Sequence, residues 1–332
     1  MIIPINLGYD IVLERGILNK ASSYINMNRK CLIVTDSGVP KEYSEIIKNQ
    51  AKEGYVCVIP QGEQSKNFDN YKMLLEKMVE YSFTRTDCVI AVGGGVVGDI
   101  SGFVASSFMR GVDFYNVPTT LLSQLDSSIG GKVAIDLNGV KNIVGAFYQP
   151  KCVLIDSDTL KTLDVRQLHA GLCEAIKMSL TSDKELFELI ENSSNLNEDI
   201  DVIIEKSLYI KKSVVEIDPT EKGLRKILNF GHTIGHAIES HTGLLHGECV
   251  GLGMLPMCDA EIREKLLKIL SKYSIPTTVK CDTDTLISYI VHDKKAKGNK
   301  VTIVVVNEIG TYEMREIEIN EIRSYIDGGY LQ

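Results

Sequence analysis

The chain is short of the features that would take it to a membrane or to nucleic acid. No apolar run approaches the roughly 20 residues needed to span a bilayer. The first residues, Met1-Ile2-Ile3-Pro4-Ile5-Asn6, lack a basic n-region and a long apolar h-region, so no secretory signal is expected. Positive charge is in deficit: 36 Lys and Arg stand against 44 Asp and Glu, a net charge of −8. That balance argues against nucleic acid or an anionic membrane as the main partner. It leaves room for an anionic small substrate, because a local pocket of Lys and Arg can oppose the global sign. None of the eight cysteines forms a Cys-x-x-Cys pair, which argues against a cysteine metal site. Several lie inside apolar runs, such as Cys31 before Leu32-Ile33-Val34, and read as reduced core residues of a cytoplasmic protein. There is no low-complexity linker and no repeat.

What is present is an ordinary globular composition, 44% hydrophobic and 24% charged over 332 residues, enough for two domains. The first half alternates short β-rich runs with helical patterns. Strands are expected at 30–35, 55–59 and 88–92, and helices at 43–53 and 71–81. The continuous apolar run 88–92 suits a parallel sheet covered on both faces. Beyond about 157 the texture turns helical, over 165–181, 184–192, 200–217, 225–241, 248–273 and 283–291. One further strand is expected at 301–306. The expected organisation is an α/β nucleotide-binding domain with a mostly parallel sheet, 1–157, followed by a mainly α-helical metal- and substrate-binding domain, 158–332. A cleft between two such domains is a common ligand site.

Three of the six histidines, His232, His236 and His246, lie in the motifs Phe230-Gly231-His232-Thr233-Ile234-Gly235-His236 and Leu245-His246-Gly247-Glu248. His232 and His236 are four apart and share one face of a helix. His246 follows a Thr-Gly break, so the chain can turn back and bring a third imidazole to the same place. Neutral imidazole is a good ligand for zinc-like ions. Spacing alone does not decide which two of the three would bind. Thr233 stands where H-E-x-x-H has its glutamate, so a metalloprotease is a poor reading. Glu174 and Lys177 share a helical face. They read either as an intrahelical ion pair or as a carboxylate ligand beside a basic group.

Gly93-Gly94-Gly95-Val96-Val97-Gly98 satisfies G-x-G-x-x-G between an expected strand and an expected helix, where backbone N–H groups can meet a pyrophosphate. A tight turn with no ligand is the plain alternative. The turn follows at least two earlier strands, whereas the usual fingerprint follows the first. Asp36, at the end of an earlier strand, could hold a ribose hydroxyl. Asp99 starts the next helix, where its plain alternative is to balance the charge of the helix end. The polar stretch from Pro118 to Asn142 suits either a loop lining a site or a surface hairpin. Arg110, Lys132, Lys141, Lys211, Arg225, Lys294 and Lys295 could together clamp a phosphate or carboxylate. A metal site and a nucleotide site on one chain suggest a metal-assisted redox enzyme.

Taken in order, these motifs resemble the 3-dehydroquinate synthase family of sugar-phosphate cyclases. The resemblance runs through Gly62-Glu63-Gln64-Ser65-Lys66, Gly93–Asp99, Pro118–Lys132, Lys141-Asn142, Glu174–Lys177, Gly223-Leu224-Arg225, Leu228–Glu239, His246-Gly247-Glu248 and Asp293-Lys294-Lys295. It implies a two-domain homodimer using NAD and a divalent metal, Zn2+ or Co2+, in the cytoplasm. It further implies Glu174, His232 and His246 as metal ligands and His236 in proton transfer. Asp126, Lys132, Lys177 and Asn229 match catalytic positions. Arg110, Lys141, Asn142, Lys211, Arg225 and Lys295 match substrate-binding positions. Asp36 aside, Glu63, Lys66, Gly94, Gly95, Asp99, Thr119, Thr120, Lys132 and Lys141 match the NAD site. The implied reaction converts 3-deoxy-D-arabino-heptulosonate 7-phosphate to 3-dehydroquinate and phosphate. It proceeds by recycled oxidation, β-elimination, reduction and aldol closure. A sibling cyclase, such as 2-deoxy-scyllo-inosose synthase, or a metal-dependent polyol dehydrogenase would share much of this inventory.

Overall fold

The computed structural model describes residues 1–294 and 300–326. It divides into two compact units, Met1–Leu163 and Asp164–Gln332. The 3-10 turn Ser157–Thr162 therefore stays with the first unit.

The first unit is built on a seven-stranded sheet. Its strands are β1 (Ile2–Ile5), β2 (Tyr9–Leu13), β3 (Lys30–Asp36), β4 (Glu53–Ile59), β5 (Cys88–Gly93), β6 (Asp113–Pro118) and, after a hairpin, β9 (Cys152–Ile155). The hairpin is β7 (Lys132–Leu137) and β8 (Val140–Phe147). The sheet order is β1-β2-β9-β6-β5-β3-β4, parallel except at the β1–β2 edge. Helices α1 (Lys41–Lys48), α2 (Phe68–Glu80) and α3 (Gly95–Ser107) supply the crossovers.

Side chains alternate across the sheet with the period of two that strands impose. Leu32, Val34, Val89 and Ala91 pack on one face with Leu74, Met78, Val97, Ile100 and Val104. Cys31, Ile33, Cys88, Ile90 and Val92 pack on the other with Ile17, Leu18, Ala21 and Ile47. Both faces are covered, which is why the central strands read as unbroken apolar runs.

Chain order explains the late position of the glycine turn. The parallel strands lie as β4-β3-β5-β6-β9, so the chain runs outward from β3 to β4 and then resumes on the other side of β3. The reversal leaves a crevice at the carboxyl ends of β3 and β5, where open α/β sheets bind ligands. Asp36 ends β3, and the glycine turn ends β5. The helix expected at 43–53 stops at Lys48, because Gly54 packs against Lys48 and the chain from Glu53 is already strand. In the β7–β8 hairpin, Asn138 and Gly139 turn the chain with positive φ of 52° and 80°, as a tight two-residue hairpin requires.

The second unit contains α4 (Val165–Ser182), α5 (Lys184–Asn192), α6 (Leu196–Ile217), α7 (His232–His241), α8 (His246–Met254), α9 (Ala260–Lys272), α10 (Thr283–Lys294) and α11 (Arg323–Ile326). Asp164, Asp183, Asn195 and Asp259 cap α4, α5, α6 and α9 through their side chains, satisfying N–H groups that the helix leaves open. Two expected helices are broken. Residues 225–241 divide into a 3-10 turn, Leu224–Asn229, and α7, with Gly231 at φ 76° between them. A Cβ at Gly231 would lie 2.6 Å from Met254 Cγ and 2.8 Å from Val250 O, so only glycine lets the chains meet there. Residues 248–273 divide at Pro256, which cannot donate into a helix, with Asp259 starting α9. The expected strand is β10 (Lys300–Val305), and it pairs antiparallel with β11 (Glu313–Glu318), which the periodicity did not reveal.

Candidate metal centre and nucleotide loop

Three helices of the second unit bring together groups that are far apart in sequence. Helix α4 presents Glu174, α7 presents His232 and His236, and α8 begins at His246. Close packing of α7 on α8 makes this possible. A Cβ at Gly253 would lie 2.0 Å from Gly231 O, and one at Gly235 would lie 3.0 Å from Cys249 O. On the α4 side, a Cβ at Gly247 would lie 1.9 Å from Ala170 O. Glycine costs helix stability (about 1 kcal/mol each), and here the cost permits backbone contact. Glu248 fastens the start of α8. Its Oε2 accepts the Leu245 N–H at 2.8 Å, and its two oxygens take a fork from Arg166 at 2.7 and 2.8 Å. Arg166 opens α4, so this ion pair joins the beginnings of the Glu174 and His246 helices.

A ring nitrogen from each of His232, His236 and His246 lies within 4.8 Å of the others. Glu174 is fully buried, and Oε1 lies 3.7 Å from His232 Nε2 and 3.8 Å from His246 Nε2. Neither carboxylate oxygen receives a hydrogen bond among the described residues. The Lys177 ammonium pairs with Oε2. Lys177 compensates Oε2, whereas a buried Oε1 left in this state costs free energy that a metal cation would recover. One carboxylate and two or three imidazoles fit a divalent ion of the Zn2+ or Co2+ kind.

The two outer imidazoles are oriented from behind. His232 Nδ1 lies 3.1 Å from the Phe230 carbonyl, and His246 Nδ1 lies 2.9 Å from Glu239 Oε2. Both bonds leave Nε2 toward Glu174. Burial, then the charges of Lys177 and the other imidazoles, holds His232 well below the ordinary histidine value, so it is neutral and able to donate a lone pair. Burial also pulls His246 down, but the bond to Glu239 and the charges of Glu174 and Glu239 outweigh it and hold that ring above the ordinary value.

Lys177, Lys211 and Arg225 are buried cations of the same unit. Arg225 sits in the turn before α7, where its guanidinium donates to Pro219 O at 2.7 Å and its backbone N–H to Asp218 at 3.0 Å. Asn229 donates to Glu221 Oε1 at 2.7 Å. Glu221, with φ 59°, was not singled out by the motif reading. An isolated carboxylate in a turn carries no spacing signal, although its neighbours Gly223 and Arg225 do. Lys295 lies outside the described residues.

In the first unit the glycine turn is a strand-to-helix junction as expected. The Gly98 N–H is bonded to Gly94 O and Thr119 N to Gly93 O. The N–H groups of Gly95, Val96 and Val97 precede the first bond of α3, at the carboxyl end of β5. A Cβ on Gly94 would lie 3.0 Å from Thr120 Cγ2, and one on Gly95 3.1 Å from Ser127 Oγ. Asp99 is the fifth residue of α3 and lies beyond its first turn, so the plain helix-end role does not apply. It pairs instead with the buried Lys66 at 3.1 Å, and Lys66 also meets Glu63 at 2.8 Å. Burial pushes the Asp99 carboxyl up to about 6, although Lys66 pulls the other way. Burial opposes the Lys66 charge, but Asp99 and Glu63 hold the ammonium above the ordinary lysine value. Thr119 is buried beside this turn, and Thr120 starts the next one. Asp36 is buried, receives the Gly38 N–H at 2.7 Å, and is raised by its burial.

Asp126 lies in a single π-helical turn, Ser123–Ser127, a device frequent at functional sites. Lys132 and Lys141 are exposed on the hairpin, with Asn142 at φ 55°. The stretch Pro118–Asn142 therefore contains a π-helical turn followed by a hairpin. Arg110 is exposed, and Met109 and Arg110 adopt φ of 48° and 70°. Such strain in consecutive non-glycine residues is uncommon outside functional sites.

Comparison with known proteins adds to this geometry. The model of the 3-dehydroquinate synthase N-terminal domain matches residues 56–170, and that of the C-terminal domain matches 171–296. The chain is 40% identical to a 3-dehydroquinate synthase of Clostridium acetobutylicum, over 96% of each chain. Among solved structures it is similar to a 2-deoxy-scyllo-inosose synthase complexed with carbaglucose-6-phosphate, NAD+ and Co2+. The TM-score is 0.89 at 26% identity, over 98% of this chain and 99% of the other. It is also similar to 2-epi-5-epi-valiolone synthase from Streptomyces hygroscopicus subsp. jinggangensis 5008 with NAD+ and Zn2+ bound. There the TM-score is 0.87 at 25% identity, over 96% of this chain and 95% of the other.

Proposed function

The chain belongs to the 3-dehydroquinate synthase family, and on that premise we propose that it converts 3-deoxy-D-arabino-heptulosonate 7-phosphate to 3-dehydroquinate and phosphate. It is a phosphorus-oxygen lyase of the shikimate pathway in this reading. The observation that carries it is the buried Glu174 carboxylate, whose Oε1 receives no hydrogen bond among the described residues and lies within 3.8 Å of two imidazole nitrogens. Glu174, His232 and His246 would hold the divalent metal. The Gly94–Gly95 turn, Thr119, Thr120, Glu63, Lys66 and Asp99 would hold NAD, with Asp36 at the ribose.

When bound, the metal polarises a ring hydroxyl and NAD accepts and returns a hydride. The chain's own residues bind and orient the substrate and move protons. His236 is assigned to proton transfer through a ring nitrogen. Lys177, held by Glu174, and Asn229, held by Glu221, are assigned to substrate hydroxyls. Lys211 and Arg225 suit a substrate that bears a carboxylate, a feature that separates this reaction from its sibling cyclases. Asp126, Lys132, Lys141 and Asn142 complete the substrate set. Arg110 and Lys295 would hold phosphate, Arg110 across a homodimer. So many cations and so few free carboxylates leave the substrate's own phosphate as a base. Positioning then does much of the work. Eight cysteines present as thiols support a cytoplasmic setting.

The test is phosphate release from 3-deoxy-D-arabino-heptulosonate 7-phosphate with catalytic NAD and zinc, followed together with NADH absorbance. Release over many turnovers without net NADH is expected. Release only from another sugar phosphate would identify a sibling cyclase. Net NADH formed from a polyol would identify a dehydrogenase.

A further inference from the structure

Glu239 holds a place in this centre that no ligand role accounts for. It lies on α7, seven residues and about two turns beyond His232, and therefore on the same side of that helix. Its Oε2 is 2.9 Å from His246 Nδ1, and its side chain is 17% exposed. An ionised carboxylate has no hydrogen to give, so the bond requires the hydrogen on Nδ1. That tautomer leaves the lone pair on Nε2, the nitrogen 3.8 Å from Glu174 Oε1. His232 has the same arrangement with a different acceptor, the neutral Phe230 carbonyl at 3.1 Å. One imidazole is thus oriented by the backbone and the other by a charged side chain.

We infer that Glu239 is a positioning residue for the metal: it fixes the His246 ring with Nε2 inward and makes that nitrogen a stronger donor. The inference rests on the reading of Glu174, His232 and His246 as the ligand set. An acceptor behind a ligating histidine raises its basicity, and loss of such a partner typically weakens metal binding about 10–100-fold. Glu239 would act without being a ligand itself. The path runs through α7, so the helix that supplies His232 and His236 also aims the ligand on α8.

The metal-free protein would be titrated with Zn2+ against a chromophoric chelator, and with Co2+ while its visible spectrum is recorded. Wild type would be compared with Glu239→Gln, Glu239→Ala, Glu239→Asp and His246→Ala. Glu239→Ala should bind Zn2+ about 10–100-fold more weakly and shift the Co2+ bands. Glu239→Gln keeps an acceptor but loses the charge, and should fall between wild type and Glu239→Ala. Glu239→Asp should recover part of the affinity. The metal-free Glu239→Gln variant should melt with wild type, which separates lost donor strength from a damaged fold. Wild-type affinity and an unchanged Co2+ spectrum in both Glu239→Gln and Glu239→Ala, with His246→Ala impaired, would overturn the role of Glu239 alone. Failure of the wild type to bind either ion would overturn the metal centre and this inference with it.

Discussion

The glycine turn of the first unit and the histidine centre of the second solve opposite problems. The turn is made mostly of backbone. Gly94 and Gly95 remove side chains, and the start of α3 offers N–H groups that a helix leaves open in any case. It stores little strain and needs no buried charge on the turn itself. The histidine centre buries a carboxylate whose Oε1 has no hydrogen bond among the described residues, beside an ammonium and three imidazoles. That is a costly arrangement unless a cation completes it. The backbone site is therefore expected to tolerate changes of charge but not of volume. The side-chain site should tolerate neither.

The largest contrast is expected from Glu174→Gln. The change keeps the volume and removes the charge. Metal retained after gel filtration should fall to background. Phosphate release should drop by more than about 100-fold, the upper range for partners that only support a ligand. NAD binding by the first unit, read by fluorescence quenching or calorimetry, should persist. Equal loss of NAD binding would break the comparison.

Gly94→Val is the mirror experiment. Gly94 has φ −79°, so the backbone accepts valine. The new side chain meets Thr120, whose Cγ2 is 3.0 Å from the Cβ position. NAD affinity should fall by roughly 10–100-fold, matching the about 1–3 kcal/mol typical of overpacking, while zinc content stays at the wild-type level.

The Asp99 carboxyl tests the charge cluster around the buried Lys66 of the first unit. Its folded value of about 6 lies above its ordinary 3.8. The native state therefore holds the extra proton, and this group's contribution is fully present below pH 3.8 and lost as pH rises through 6. Unfolding free energy of wild type minus that of Asp99→Asn should fall by about 3 kcal/mol across that window. A flat difference would show that Lys66 offsets the burial completely. The smallest effect is expected from Arg166→Ala. Half of the guanidinium side chain is exposed, so loss of the fork to Glu248 should cost about 1–2 kcal/mol, read as a lower melting midpoint of the metal-free protein.

Legibility in the sequence followed the same division. The glycine turn lies within six consecutive residues, and a strand before it and a helix after it are visible from local periodicity. The four ends that α4, α5, α6 and α9 owe to Asp or Asn caps were within reach of local rules for the same reason. Helix breaks at Gly231 and Pro256 were marked by residue type, yet a continuous apolar pattern over 225–241 and 248–273 outweighed them. Pattern detects burial, and burial continues across a kink. Strand β11, Glu-Met-Arg-Glu-Ile-Glu, carries too little apolar signal to stand out from a loop, and its pairing with β10 makes it a strand.

The amino-acid sequence by itself determined the α/β first unit, the helical second unit, the glycine turn and the gathering of histidines, because each depends on residues near one another along the chain. Tertiary structure alone decided that Glu174 meets His232 and His246, that Asp99 serves Lys66 and not the end of its helix, and that Glu239 stands behind His246. These pairings cross from one element to another. Their distances are set by how closely backbones approach, and at Gly231, Gly235, Gly247 and Gly253 that approach depends on the absence of a Cβ atom on a partner that spacing cannot identify.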